Sequence, residues 1–175
     1  MKLVPIAKGV NGLFIQNNRF STTHISVNLY LPLKRETVAV NALLPFVLSS
    51  CSAEYPDFSA LNLRLNELYG ADVGGIADKI GDTQVLRFFS YFIDDEYIPN
   101  GDKVADEAVE LLISMLFKPS VKNGSFLKAA VERCIRMNPL VSLKQVAQRM
   151  LQPLRVKAFL MPLKGFYPQQ RLEFR

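Results

Sequence analysis

Two long runs with the composition or periodicity of β-strands constrain the fold of this chain most strongly. Residues 22–33 alternate between apolar and polar side chains, the pattern of a strand with one buried face. Residues 84–94 are almost continuously apolar and aromatic, and such residues favour a strand. A weaker, glycine-rich strand is expected at residues 72–80, and Gly81 and Asp82, which follow it, permit a hairpin. The sequence therefore predicts strands on both sides of a turn near residue 81.

Other segments have the apolar spacing of helices. The first covers about residues 36–50 and contains Pro45, which lacks an N–H and clashes with the preceding turn. We expect a kink there, or a break with Asn41 as a second N-cap. Asp57 is a good N-cap for the second helix, and residues 100–102 open a third. A fourth helical segment follows the third helix.

The order of these segments indicates the fold class. A short strand at residues 12–16 comes first, and the succession is strand, strand, helix, helix, strand, strand, helix, helix. Such an order is typical of an α+β sandwich. We predict an α+β fold in which helices cover one face of an antiparallel-rich sheet.

The length and composition are those of an ordinary globular chain. Its 175 residues are 49% hydrophobic and 21% charged, and no apolar run is long enough for a membrane span. Residues 1–10 lack the apolar region of a signal peptide, so we expect a cytoplasmic protein without a membrane partner. Cys51 and Cys134 are too few for a disulfide framework or a thiolate zinc site, and we interpret them as buried, unbridged thiols.

The basic charge is concentrated near the C-terminal end. Residues 134–175 hold eight of the 21 basic residues but only one of the 16 acidic residues, Glu173. The basic residues follow no nucleic-acid-binding motif, so we expect no nucleic-acid partner. Pro153 and Pro162 would break the amphipathic helix that binding to a membrane surface requires. We predict a basic, proline-interrupted tail with little contribution to the core.

Few residues could carry catalytic chemistry. His24 is the only histidine, so no pair of histidines can bind a metal ion. The carboxylates at 94–96 and 106–107 fall at a strand end and in the first turns of a helix, where surface or capping roles are expected. The glycines do not have the spacing of a phosphate-binding loop. We therefore predict no catalytic, cofactor-binding or metal-binding residue.

Several spaced segments agree, in order, with a known peptidase family. They are the strand at 23–33, the helix at 41–48, the run at 59–71, the turn at 79–82, the aromatic strand at 85–93 and the helix end at Lys118 and Pro119. Over residues 10–133 the chain resembles the N-terminal half-domain of the insulinase/pitrilysin/processing-peptidase family. Within that family it looks most like the bacterial non-catalytic branch associated with elongation factor P modification. The resemblance implies an insulinase-like half-domain at residues 1–133.

The resemblance also implies that the zinc site is lost. An active member has the pattern His-x-x-Glu-His on its first helix, with two zinc ligands and a Glu that activates water. The register places Ala42, Pro45 and Phe46 at these positions, and none can ligate a metal ion or transfer a proton. The remaining ligand of the family is a Glu on a later helix, near Glu132. A single carboxylate there would not hold zinc.

Three functional interpretations follow from the resemblance. Non-catalytic members of such families pair with a catalytic or homologous subunit, or hold an extended peptide against a sheet edge. The alternatives are a free-standing factor that binds a protein such as elongation factor P, and a nonfunctional truncated product. Residues 134–175 are either an unusual native extension or sequence that has left the ancestral reading frame near Cys134, which we favour. We also expect the isolated chain to self-associate.

Overall fold

The computed structural model describes residues 1–17 and 19–137. Two short 3₁₀ turns, Asp95–Tyr97 and Pro99–Gly101, follow the fifth strand. The strands and helices, in chain order, are β1 (Lys2–Ala7), β2 (Val10–Phe14), β3 (Thr22–Pro32), α1 (Val38–Leu48), α2 (Phe58–Glu67), β4 (Asp72–Ile80), β5 (Thr83–Ile93), α3 (Ala105–Phe117), β6 (Val121–Lys122), β7 (Ser125–Phe126) and α4 (Lys128–Met137). None of the helices in the described ranges has the length and apolar character needed to cross a membrane.

The central sheet has three antiparallel strands in the order β3–β5–β4. The strands predicted at 22–33, 72–80 and 84–94 are thereby confirmed. β4 and β5 form the predicted hairpin, in which Ile80 lies opposite Thr83 and Gly81 has a φ of 57°. A positive φ favours glycine because it has no Cβ. The almost continuously apolar strand β5 is the central one.

The two faces of the sheet differ in burial. The inner face of β3 is apolar and packs against the helices through Ile25, Val27, Leu29 and Leu31. The opposite side of the sheet, here called the outer face, carries the alternate residues of β3, including His24, Ser26 and Tyr30. This is the alternation that the sequence predicts. The helices therefore cover one face of the sheet, and the predicted α+β fold class is confirmed.

Two apolar clusters form the core between the sheet and the helices. The first joins α1, β5, α3, β7 and α4 through Leu43, Leu44, Val47, Leu48, Leu86, Phe88, Leu112, Leu116, Phe126, Val131 and Cys134. The second joins α2, the end of β5 and one side of α3 through Leu61, Leu65, Leu68, Ala71, Phe92, Ile98, Val104, Ala108, Leu111 and Met115. α3 contributes to both clusters and so connects them.

The first helix, α1, runs without interruption through Pro45. Of the two predicted alternatives, the break at Asn41 is wrong, because the Asn41 N–H donates an ordinary helical bond to the carbonyl of Thr37 at 2.9 Å, whereas the kink at Pro45 stays a prediction. The Asn41 side chain instead donates to Gln84 Oε1 at 3.2 Å, and Gln84 Nε2 donates to the carbonyl of Val38 at 2.9 Å. The buried Gln84 amide thus fixes the first turns of α1 to strand β5.

Two helix starts show different capping. The Asp57 side chain accepts a bond from the N–H of Ala60 at 2.8 Å, so the predicted N-cap of α2 is confirmed. α3 begins at Ala105, later than the sequence predicts. Its first N–H groups are bonded by a distant side chain, because Asp95 Oδ1 accepts from Val104 and Ala105 at 2.9 and 3.0 Å. The carboxylate also suits the positive end of the helix dipole.

The N-terminal hairpin is separate from the central sheet. β1 and β2 pair with each other, and β1 is absent from the sequence prediction, which places a single strand at 12–16. Apolar side chains of the hairpin remain exposed, among them Leu3 at 68% and Leu13 at 50%. The hairpin therefore contributes an apolar surface rather than core.

The predicted boundary at residue 133 falls inside α4, which continues to Met137. Cys134, the first residue of the predicted tail, belongs to the main core cluster. Residues 138–175, which include Pro153, Pro162 and Glu173, lie outside the described part of the chain. The division into a half-domain and a tail therefore stays a prediction.

Candidate functional site

The three positions that the family resemblance assigns to zinc chemistry lie on α1. Ala42 and Phe46 are half-buried, and Pro45 is fully buried. Methyl, pyrrolidine and phenyl groups have no lone pair to donate to a metal ion and no proton to transfer. Whatever role the resemblance implies for α1, the side chains at these three positions carry no metal-binding or proton-transfer group.

Pro45 packs directly against strand β4 of the sheet. A Cβ atom added to Gly75 of β4 would lie 2.5 Å from the Pro45 carbonyl oxygen and 2.7 Å from the Pro45 Cβ. Only glycine therefore allows the backbone of β4 to approach α1 so closely. Because Pro45 is in direct contact with the strand backbone, its position has no open space for a water molecule or a substrate atom.

The end of α1 is held by two cysteines and a serine. Cys134 Sγ lies 3.3 Å from the Phe46 carbonyl oxygen and 3.8 Å from Ser50 Oγ. Ser50 Oγ lies 3.9 Å from Cys51 Sγ. Both cysteines are buried, as the sequence predicts. Burial raises the pKa of each thiol above its ordinary value, so both are protonated at neutral pH and suit packing better than nucleophilic chemistry.

Glu132 does not face the candidate site. Its carboxylate is exposed and lies 3.7 Å from the ammonium group of Lys128, one turn earlier on α4. The buried side of α4 carries Val131 and Cys134 instead. Within residues 1–17 and 19–137, no three His, Cys, Asp or Glu side chains form a group that could hold a metal ion.

His24 lies on the outer face, away from α1. Its ring stacks on Tyr91 with a centroid distance of 4.2 Å and an interplanar angle of 16°. Burial, and to a smaller extent the positive charge of Arg87, lower the pKa of His24. The ring is thus neutral at physiological pH and part of an aromatic cluster. Two of the acids at 94–96 have structural roles. Asp94 accepts a hydrogen bond from the Thr23 hydroxyl, and Asp95 caps α3.

An open depression lies beside the first turn of α1 and next to strand β4. Its volume is about 450 Å³. The lining residues are Leu33, Arg35, Val38, Ala42, Ala77, Asp78, Lys79 and Gln84. They come from four separate segments of the chain, so their proximity could not be read from local sequence patterns. Ala42, which takes the place of the first zinc ligand in the resemblance, is part of this lining.

One curated relative has significant sequence similarity. It is Probable inactive metalloprotease YmfF of Bacillus subtilis (strain 168), 25% identical over 118 residues, which are 67% of this chain and 28% of the relative. The relative is named as inactive. The chain thus matches little more than a quarter of its length. No family model matches this sequence.

A solved structure has the same fold. The crystal structure of a conserved protein from Enterococcus faecalis V583 matches with a TM-score of 0.74 and 28% sequence identity. The match covers 83% of this chain and 35% of that one. Both comparisons therefore align this chain with about a third or less of a longer protein. The relative agrees with the coarser part of the resemblance, an inactive metalloprotease homologue, and the solved structure agrees with the α+β class.

Proposed function

We propose that this chain is a non-catalytic homologue of the insulinase-type peptidases, from the bacterial branch associated with elongation factor P modification. It acts in the cytoplasm as a partner subunit or as a module that binds an extended peptide or a protein. The observation that carries the proposal is the contact of Pro45 with Gly75, because the family resemblance assigns position 45 to the general base of an active relative. The name of the YmfF relative supports the same conclusion.

The sheet supports a binding role. β3 and β4 each pair only with β5 among the described residues, so each has one side with unpaired backbone groups. An extended peptide can add to such an edge through main-chain hydrogen bonds. The depression beside Ala42 adjoins the edge of β4. A chain without zinc ligands can therefore still hold a peptide along the edge of β4.

The loss of catalysis is tested by restoring the family pattern. The wild-type protein should contain no stoichiometric zinc by elemental analysis and should cleave no peptide. The triple variant Ala42→His, Pro45→Glu and Phe46→His should also be inactive, because Glu132 is turned to solvent and a carboxylate at position 45 would face the Gly75 backbone. Chelator-sensitive proteolysis by the triple variant would contradict the proposed register.

The binding role is tested by co-purification from the native organism. A partner subunit predicts recovery of a catalytic or homologous insulinase-type protein in a fixed ratio. A free-standing factor, the alternative, predicts direct binding of purified elongation factor P without any peptidase subunit. Recovery of neither would contradict both forms of the proposal. The genomic DNA downstream of the Cys134 codon, read in all frames, tests the third possibility of a truncated product.

A further inference from the structure

We propose that the depression beside α1 and the adjoining edge of β4 select an extended peptide segment that carries an acidic side chain. This inference rests on the proposed peptide-binding function and specifies its ligand. The carboxylate would lie between Arg35 and Lys79, and the peptide backbone would extend along β4. An unpaired strand edge, an apolar floor and an unbalanced positive charge meet at this depression.

The strand edge supplies the main-chain bonds. β4 spans Asp72–Ile80, and no strand in the described ranges pairs with the side of β4 that faces away from β5. Alternate residues of an antiparallel strand direct their N–H and C=O groups to that side. An extended segment can therefore form bonds with β4 that do not depend on its side chains, and affinity along the edge is independent of sequence.

The floor of the depression supplies the apolar contact. Its lining includes Leu33, Val38, Ala42 and Ala77, which come from the segment between β3 and α1, from α1 and from β4. The small side chains at 42 and 77 keep the depression open. Apolar atoms of the peptide, including the methylene groups of a glutamate, can cover this floor and lose their contact with water.

The charges at the rim supply the specificity. Arg35 and Lys79 are exposed, and neither forms an ion pair with another described residue. The remaining charged lining residue is Asp78, whose side chain belongs to the opposite face of β4 and lies 3.9 Å from Arg87 Nη2. The side of β4 that faces the depression therefore has two cations without a described counter-ion, which complement a carboxylate.

The test uses the complete 175-residue chain and labelled peptides. Acetylated and amidated heptapeptides of alternating valine and threonine carry glutamate, glutamine or lysine at the central position and the same fluorescent label. Fluorescence anisotropy should give the tightest binding for glutamate and the weakest for lysine. An exposed ion pair changes Kd by up to about fivefold. Each of the two cations should therefore contribute up to about that factor to the difference in Kd between the glutamate and glutamine peptides. Added salt should reduce it.

Variants assign the effect to the depression. Arg35→Gln and Lys79→Gln should each reduce the preference for glutamate over glutamine, while Lys103→Gln, an exposed cation before α3, should leave it unchanged. A glutamate peptide with N-methylated backbone amides should bind weakly, because it cannot pair with β4. Free-acid versions of the unmethylated peptides test whether a terminal carboxylate alone suffices. A free-acid glutamine peptide that binds as tightly as the amidated glutamate peptide would overturn the assignment to a side chain.

The outcomes separate this inference from the proposed function. Equal binding of the three peptides, with loss on N-methylation, would overturn the selection of an acidic side chain and would leave peptide binding at an edge intact. A glutamate preference that Lys103→Gln reduces as strongly as Lys79→Gln would also overturn it, since the charge would then act non-locally. No binding of any peptide would overturn both the inference and the peptide-binding form of the proposed function.

Discussion

At the residue scale, one glycine determines how closely α1 packs on the sheet. Gly75 has the Pro45 backbone within contact distance, and an added Cβ would be 2.8 Å from the Pro45 carbonyl carbon. The neighbouring Gly74 faces the other side of β4, where an added Cβ would meet the ring of Phe89. The Phe89 side chain on the outer face can swing aside about χ1, whereas a helix backbone cannot move without disturbing its core contacts.

These two glycines form a matched pair for a stability measurement. Gly75→Ala should lower the free energy of unfolding by about 1–3 kcal/mol, because the methyl group must displace the backbone of α1. Gly74→Ala should cost less, since only the Phe89 ring must move. Urea unfolding followed by circular dichroism gives both values. A smaller loss for Gly75→Ala than for Gly74→Ala would contradict the packing described here.

A second prediction concerns Ser90, which lies on the inner face of β5 opposite Ile25 and Val73. Its Oγ is buried and has no hydrogen-bond partner among the described residues. Because an unsatisfied buried hydroxyl is costly, Ser90→Ala should leave the free energy of unfolding unchanged or raise it by up to about 1 kcal/mol. The control is Ser50→Ala, which removes the bond from Ser50 Oγ to the Val47 carbonyl at 2.9 Å and should be destabilising in the same assay.

At the element scale, the predictable parts are those whose pattern is local. β3 alternates with a period of two, β5 is rich in aromatic residues, and Asp57 immediately precedes the helix that it caps. The predictions that differ from the structure involve residues whose bonding partners lie elsewhere in the chain. Asn41 has the residue type of an N-cap, yet its side chain bonds Gln84 on another strand. β1 contains Pro5 and few β-branched residues, and it is a strand because β2 pairs with it.

The capping of α3 gives a prediction for an element. Asp95→Ala removes the acceptor for the N–H groups of Val104 and Ala105, so the thermal unfolding midpoint should fall, with a cost of about 1 kcal/mol. Glu96→Ala, an exposed neighbour in the same turn, should have little effect. Equal shifts for the two variants would indicate that general charge near the helix, rather than the two bonds, stabilises α3.

At the scale of the whole molecule, the described part of the chain leaves apolar surface uncovered. The N-terminal hairpin exposes Leu3 and Leu13, which lie opposite each other on β1 and β2. A two-stranded hairpin is marginally stable alone, so association with other surface stabilises it. The YmfF relative and the Enterococcus faecalis protein are both longer than this chain, and each match covers 35% or less of the matched protein. We therefore expect the isolated chain to associate.

Light scattering of the purified chain should give a mass above that of the monomer. The double variant Leu3→Ser and Leu13→Ser should lower this mass, because it removes exposed apolar area from one face of the hairpin. Leu63→Ser is the matched control, since Leu63 is 63% exposed on α2 and belongs to neither core cluster. A monodisperse wild-type monomer at high concentration would contradict both self-association and the need for a partner.

The candidate site was only partly predictable from the sequence. The chemical character of Ala42, Pro45 and Phe46 can be read directly, because no fold can give these side chains a metal-binding group. The contact between Pro45 and Gly75 cannot be read, since it depends on how a helix crosses a strand thirty positions later. For the same reason the depression beside Ala42, whose lining comes from four segments, emerges only from the tertiary structure.

The central place of β5 has a consequence for the order of folding. β4 and β5 join through a two-residue turn, whereas β3 pairs Thr22 with Ile93 and Pro32 with Thr83. Closing the long intervening loop costs more entropy than closing a hairpin, so β4 and β5 can pair first. During synthesis, β3 leaves the ribosome well before its pairing partner exists. The nascent chain must therefore keep an apolar strand unpaired until residue 93 has emerged, and β3 is the segment that a chaperone would protect.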